Sequence, residues 1–230
     1  MNEAVQHVDQ AIRTRHSIRR FLPTPVPKTV VSELLELAAR APSGTNIQPW
    51  KVYALCGEEK VALSAAILEQ FERGEADSHE FDYYPKQWVE PWISRRRKIG
   101  LGLYGLLGIG KDDKAGMKRQ TGRNFLFFDA PVGLIFTMEK SLGSGMLLDY
   151  GMFLGNLMTA ARARGLDTCA QAFFADYQRA IRTTLGIPEN ERVLCGMSLG
   201  YADTEAPENK LVTEREPVAG FTTFRGFAEA

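Results

Sequence analysis

The chain has 230 residues, 44% of them hydrophobic and 24% charged, with 28 basic residues balanced by 28 acidic ones. That length falls between one small domain and two comfortable ones, and it is enough to bury a sizeable core without disulfides or metals. The composition excludes a disordered or fibrous chain, and a formal net charge of zero argues against a protein that lives on nucleic acid.

Three widely spaced cysteines (Cys56, Cys169, Cys195) with no CxxC read as reduced thiols. The three histidines (His7, His16, His79) form no HExxH or HxH pair, so a metal cage is not expected. The N-terminus carries acids and lacks an apolar signal core, and no run reaches the ~18–20 apolar residues that span a bilayer. The expectation is a cytoplasmic enzyme with no membrane partner.

In chain order, Val5, Val8 and Ile12 recur at helical spacing and predict an amphipathic helix over about 3–14. The proline-punctuated TRHSIRRFLPTPVP cannot be a helix interior. Pro27 suits a first turn, and Val30, Val31, Leu34, Leu35 and Ala38 predict a helix over about 28–40. The turn-rich APSGTNIQPW ends it. KVYAL (51–55) reads as a strand, and 57–72 as a helix with Val61, Leu68 and Phe71 inward.

Residues 73–120 have no clean period and predict an excursion from the core: short helices, a lid or a dimer-crossing segment. Beyond it, APVGLIFTM (130–138) predicts a strand and 147–164 a long helix ended by Gly165. LDTCA (166–170) is a strand, Asp176 should cap a helix running to Leu185, and 192–201 is a last strand. The final stretch, about 202–230, reads as an extended arm packed on something, a second subunit being the candidate. No repeat or linker divides the chain, which is read as one domain.

Two patterns in the excursion imitate nucleotide motifs. Gly100-x-Gly102-x-x-Gly105 matches a dinucleotide fingerprint and Gly105 to Lys111 matches GxxxxGK. Neither has a strand before it and a helix after it, and Asp112 stands where a P-loop needs Ser or Thr. A glycine-rich mobile loop is the expected reading, and a triphosphatase a weak rival. The run Arg95-Arg96-Arg97-Lys98 reads as a solvated helix face or a dimer-rim cluster. Tyr83, Tyr84, Trp88, Trp92 and Tyr104 are either core of the excursion or walls of a pocket for a planar aromatic ligand; spacing leaves both open. Cys169, flanked by apolar residues, reads as a small buried hydrophobe. Ser43 lacks the GxSxG of a nucleophile elbow.

Two segments carry the chemistry. Arg13 to Phe21 concentrates four guanidiniums and a hydroxyl between helices, a donor set suited to a phosphate-bearing ligand. Ala41 to Trp50 offers backbone and amide donors from Ser43, Gly44 and Asn46 to the edge of a polar ring. For each, the plainer alternative is a capped interhelical turn.

RxRHSIRRF followed by APSGTNIQPW and a late TEREP, with GRNFLFFDAPVGLIF and GLDTCAQAF between, resembles the FMN-dependent nitroreductase family over about 10–72 and 120–220. The resemblance implies an α+β, three-layer α/β/α fold with a mixed central sheet. It implies a homodimer, FMN as cofactor, NADPH or NADH as electron donor and a nitroaromatic or quinone-like acceptor, reduced by a ping-pong hydride mechanism. The flavin would carry the chemistry, so no catalytic side chain is assigned.

Residue by residue, the resemblance puts Arg15 and Ser17 on the FMN phosphate and ribityl chain, with His16 beside them. It puts Arg19 near the N1–C2 edge of the ring. Pro42, Ser43, Gly44 and Asn46 match a loop that reaches the partner subunit's flavin, and Gln171, Ala172 and Phe173 match the segment beside the ring and N5. Arg215 matches a phosphate clamp. Thr213 stands where the family often has a second basic residue, leaving Arg13, Arg20 and Lys210 as replacements. Rival readings are another flavin reaction on the same fold (reductive dehalogenation, enone reduction, flavin breakdown) and a flavin-binding protein without turnover.

Overall fold

The structure, a computed structural model, describes residues 3–78 and 80–228. Four strands make one sheet in the order β1-β2-β4-β3, with β1 at Lys51–Leu55, β2 at Val132–Glu139, β3 at Asp167–Gln171 and β4 at Glu191–Gly200. Every pairing in this sheet is antiparallel. A mixed sheet is therefore not what these strands form, and among the described residues the one parallel pairing is a bridge between Ser17 and Thr168. The reason is topological: β2 and β3 do run parallel across an intervening helix, but β4 inserts between them and pairs antiparallel with both.

Helices cover both faces. Over one face, α2 (Lys28–Ala38) presents Val31, Leu34 and Ala38, and α6 (Met146–Ala163) presents Tyr150, Phe153, Leu157 and Ala161; both meet Leu134, Phe136 and Met138 of β2. Over the other, α3 (Gly57–Glu72) and α7 (Gln178–Leu185) bring Leu63, Ile67 and Ile181 onto Ile135, Val193 and Cys169. Alternation along β2 feeds both layers, which gives the three-layer arrangement. In β4 it slips once: Thr137 faces Val193 and Phe136 faces Cys195, leaving Leu194 unopposed in a β-bulge.

Helix α1 (Glu3–Thr14) forms as its period predicts, yet Val5, Val8 and Ile12 are exposed on this chain. In α3 the inward stripe is Leu63, Ile67 and Gln70; Leu68 and Phe71 are half-buried and Val61 is exposed, because the face turned to α7 is one step off the expected one. Pro27 sits at the N-cap of α2 rather than inside its first turn. Ahead of α7 the chain makes a 3-10 turn over Ala172–Tyr177, and Tyr177, not Asp176, occupies the N-cap. The free amide of Arg179 is taken by Asp77 Oδ2 at 2.8 Å, so the cap comes from another segment.

The glycine-rich stretch is helical rather than a loop, as α4 (Trp92–Leu106), followed by α5 (Lys114–Gly122). Gly100, Gly102 and Gly105 all lie inside α4, where they cannot turn a strand into a helix. At the start of β4, buried Glu191 accepts from Thr137 Oγ1 (2.6 Å), Lys51 Nζ (2.8 Å) and Tyr53 OH (3.2 Å), tying β1, β2 and β4 together.

Candidate functional site

Beyond α1 the chain runs extended along the start of β3. Ile18 donates its amide to Thr168 O at 3.1 Å and buries its side chain, which leaves Arg15, Ser17 and Arg19 half-exposed around it. His16 turns back on its own turn, with Nδ1 3.0 Å from Thr14 O, and must carry its proton there to donate. The three basic side chains differ in charge environment. Arg20 is neutralised by Asp129 at 2.6 Å and Glu208 at 3.4 Å. Arg15 and Arg19 meet no carboxylate among the described residues, and Arg19 spends one N–H on Ser17 O at 3.2 Å. Two uncompensated guanidiniums beside a hydroxyl fit an anion such as a phosphate. Arg20, offered as a replacement for the basic residue absent at Thr213, already has its charge matched by these two carboxylates. Buried Cys169 lies beneath them; burial pushes its thiol up, and the positive Arg19 and Arg15 only partly oppose this.

Gln171, buried at the end of β3, is bonded at both ends of its amide: Nε2 donates to Asn124 O at 2.7 Å and Oε1 accepts from Ser198 Oγ at 2.7 Å. Its side chain is held inward, and it is the following Ala172 and Phe173 that line a cavity of about 210 Å³. Tyr83, Tyr84 and Arg96 of the excursion line it too. Tyr83 packs edge-on to Tyr84 at 4.7 Å, and both are exposed. Tyr83 and Tyr84 are thus walls of this cavity, whereas Trp88, Trp92 and Tyr104 do not line it.

The loop after α2 sits elsewhere. Ser43 Oγ accepts the Gln48 amide at 3.0 Å, and Gly44 donates its amide to Asp149 Oδ2 at 3.0 Å. Thr45, Asn46 and Gln48 hold left-handed backbone, with φ of 48°, 58° and 54°. Pro42 and the side chain of Asn46 face outward. Asp149 lies in the first turn of α6, whereas Arg162 in its last turn donates to Thr14 Oγ1 and to Asp167. Thirteen residues of helix separate these two anchors by about 20 Å. The Pro42–Asn46 loop and the Arg15–Arg19 segment are thus at opposite ends of α6 within one chain.

Arg215 lies on the arm against α4. It donates to Thr213 O at 3.1 Å and Thr213 Oγ1 at 2.7 Å, between Glu214, which pairs with Lys98 at 2.6 Å, and Glu216, which pairs with Arg95. No hydrogen bond or ion pair joins Arg215 to Arg15 or Arg19 among the described residues.

The nitroreductase family model matches residues 12–201, most of the chain. The chain belongs to the nitroreductase family. This nitroreductase is 44% identical to a 4-nitrobenzoate reductase of Pseudomonas putida over 95% of its own length and 96% of the relative's. It is 39% identical to a nitrobenzene nitroreductase of Ectopseudomonas oleovorans, covering 94% of this chain and 96% of that one. A crystal structure of the FMN and NADPH-dependent nitroreductase NfnB from Sphigopyxis sp. strain HMH superposes with a TM-score of 0.92 at 34% identity, covering 96% of this chain and 99% of that one. As a family member, the chain is an oxidoreductase.

Three positioning side chains of this nitroreductase have no motif to announce them. Asn209 accepts the Arg19 amide at 2.6 Å and donates to Arg20 O and Asp203 O, pinning the arm to the basic segment. Asp149 holds Gly44, and Asn124 Oδ1 accepts from Gln171 Nε2 at 3.3 Å, beside the 2.7 Å bond to the Asn124 carbonyl. Each acts across more than 45 residues of sequence, so only the distant partner gives it meaning. Among the described residues no His, Cys, Asp and Glu cluster could hold a metal, and no helix is long and apolar enough to cross a membrane. His79 lies outside the described residues.

Proposed function

We propose that this nitroreductase binds FMN between two copies of the chain and uses it to carry electrons from NADPH or NADH to nitroaromatic acceptors. The observation that carries the reading is the charge pattern of one short segment, in which Arg15 and Arg19 lack the carboxylates that Arg20 has. Arg15 and Ser17 would hold the phosphate, with Arg215 as a further cation. Arg19 offers positive charge to the ring's N1–C2 edge. Ala172 and Phe173 would lie beside the ring. The separation of about 20 Å along α6 supports a site in which Pro42, Ser43, Gly44 and Asn46 serve the partner's flavin. The exposed stripe of Val5, Val8 and Ile12 is apolar area that a second copy would cover.

FMN, when bound, supplies the two-electron chemistry that no side chain here provides. The protein's part is to bind, to orient and to exclude water. The cavity beside Ala172 and Phe173 is lined by aromatic faces and suits a flat ring, and one such cavity taken in turn by donor and acceptor gives ping-pong kinetics. Support for nitroaromatic acceptors comes from relatives named for nitrobenzoate and nitrobenzene reduction. The test is direct: purified protein should be yellow, release FMN on denaturation, bleach with reduced nicotinamide and recover colour with a nitroaromatic. A flavin that resists bleaching would leave a binding protein without turnover.

A further inference from the structure

We propose that Arg96 recognises a carboxylate on the aromatic acceptor, so that nitrobenzoate-like anions rather than neutral nitroarenes are the preferred substrate class. The inference rests on the functional reading above and deepens it.

The basic run of α4 divides by direction. Arg95 and Lys98 are engaged with Glu216 and Glu214 of the arm. Arg96 turns to the cavity, with its guanidinium carbon 4.7 Å from the Trp88 ring centre and 5.8 Å from that of Tyr84. A cation–π contact of this kind attracts the guanidinium's charge without taking the N–H donors of its planar edge. No protein hydrogen bond or ion pair takes that edge among the described residues. A carboxylate is the planar two-oxygen anion that matches such a fork. The cavity, about 210 Å³, suits one substituted ring, since a space of about 150 Å³ already admits benzene.

Asp82 and Asp176 line the same cavity, so its overall field is not positive. Recognition must then come from the short-range fork geometry of Arg96, and Asp82 should oppose it. A nitro group also offers two oxygens to a guanidinium, so the experiment must separate the two.

The experiment measures kcat and KM of the FMN-loaded enzyme, with NADPH, for 4-nitrobenzoate and for its neutral methyl ester. Arg96→Gln should lower the acid-to-ester ratio of kcat/KM by roughly 5- to 30-fold, mostly through KM, the exposure of Arg96 placing it below a fully buried contact. Arg96→Lys, which keeps charge without the fork, should fall between, and it carries the test if the glutamine variant fails to retain flavin. Asp82→Asn should move the ratio the other way, by about twofold or more. Equal losses on acid and ester would assign Arg96 to the nitro group or to the fold, and an unmoved ratio would remove it from the site; either overturns the proposal. A wild-type enzyme whose flavin bleaches but which reduces neither compound would instead overturn the functional reading beneath it.

Discussion

Gly44 donates its backbone amide to Asp149 Oδ2 at 3.0 Å, and through this one bond the first turn of α6 holds a loop with three non-glycine residues in left-handed conformation. Such a backbone persists only where its surroundings hold it. Asp149 is itself buried and favourably placed near a helix N-terminus.

Asp149→Ala should therefore cost about 1–2 kcal/mol of stability and weaken FMN binding, although Asp149 is far from Arg15 along the helix. Asp149→Asn keeps an acceptor and should lose less. Thermal unfolding and a fluorescence titration with FMN report the two effects. An alanine variant with unchanged FMN affinity would remove the loop from the site.

Arg215→Ala and Arg15→Ala each delete a cation from the expected phosphate site. A charge-assisted hydrogen bond is typically worth about 1.5–3 kcal/mol, so FMN affinity should drop roughly 10- to 100-fold in each. Arg20→Ala is the contrast: its charge is already matched by Asp129 and Glu208, so its loss should appear in stability before cofactor affinity. Full flavin retention by the Arg215 variant would place the clamp elsewhere.

Gly133→Ala tests the packing between the sheet and the turn before β2. A Cβ on Gly133 would come within 2.7 Å of the Phe127 ring, which is fully buried. Phe127, Phe128 and Asp129 all hold positive φ, so the ring cannot easily withdraw. Overpacking of this kind costs about 1–3 kcal/mol, read as a lowered denaturant midpoint with the slope kept. A neutral result would mean that the turn yields.

Glu191 contributes to the acid limb of stability. Burial alone would raise its carboxyl, but hydrogen bonds from Lys51 and Thr137 and the nearby Lys51 charge outweigh burial and hold it below the ordinary value of 4.5. A carboxyl depressed in the folded state contributes stability that is present above about pH 4.5 and is lost as pH falls through its folded value. Glu191→Gln should lower stability at neutral pH and flatten the decline below pH 4.5. Parallel pH curves for variant and wild type would show that Glu191 does not drive the acid limb.

Elements with one strong period were legible from residues alone: α2, α6 and all four strands lie within a residue or two of expectation. Faces were less so, because a period says that a stripe exists and not what meets it. Val61 and Leu63 are both apolar, and only the placement of the sheet, α7 and the 123–129 turn around α3 decides that Leu63 is buried. The stripe of α1 is real and yet uncovered in one chain. The mixed sheet that the resemblance implies does not form among these strands, because β4, last in sequence, lies between β2 and β3 and pairs antiparallel with both. At the candidate site the basic segment stood out by composition. Asn209, which holds that segment, and Asp149, which holds the Gly44 loop, did not, since a single polar residue acquires its role only from a partner more than a hundred positions away.

One glycine of α4, Gly102, gains a meaning from the arm that crosses it. A Cβ on Gly102 would lie 3.1 Å from Leu211 Cδ1, so the missing side chain is what lets the arm settle against the helix. Leu211 stands four residues before Arg215, and the intervening chain is tethered to α4 by Lys98. Gly102 is thus a fitted seat: one added methyl there would make the Leu211 side chain give by a few tenths of an ångström, close to the stretch of arm that carries Arg215.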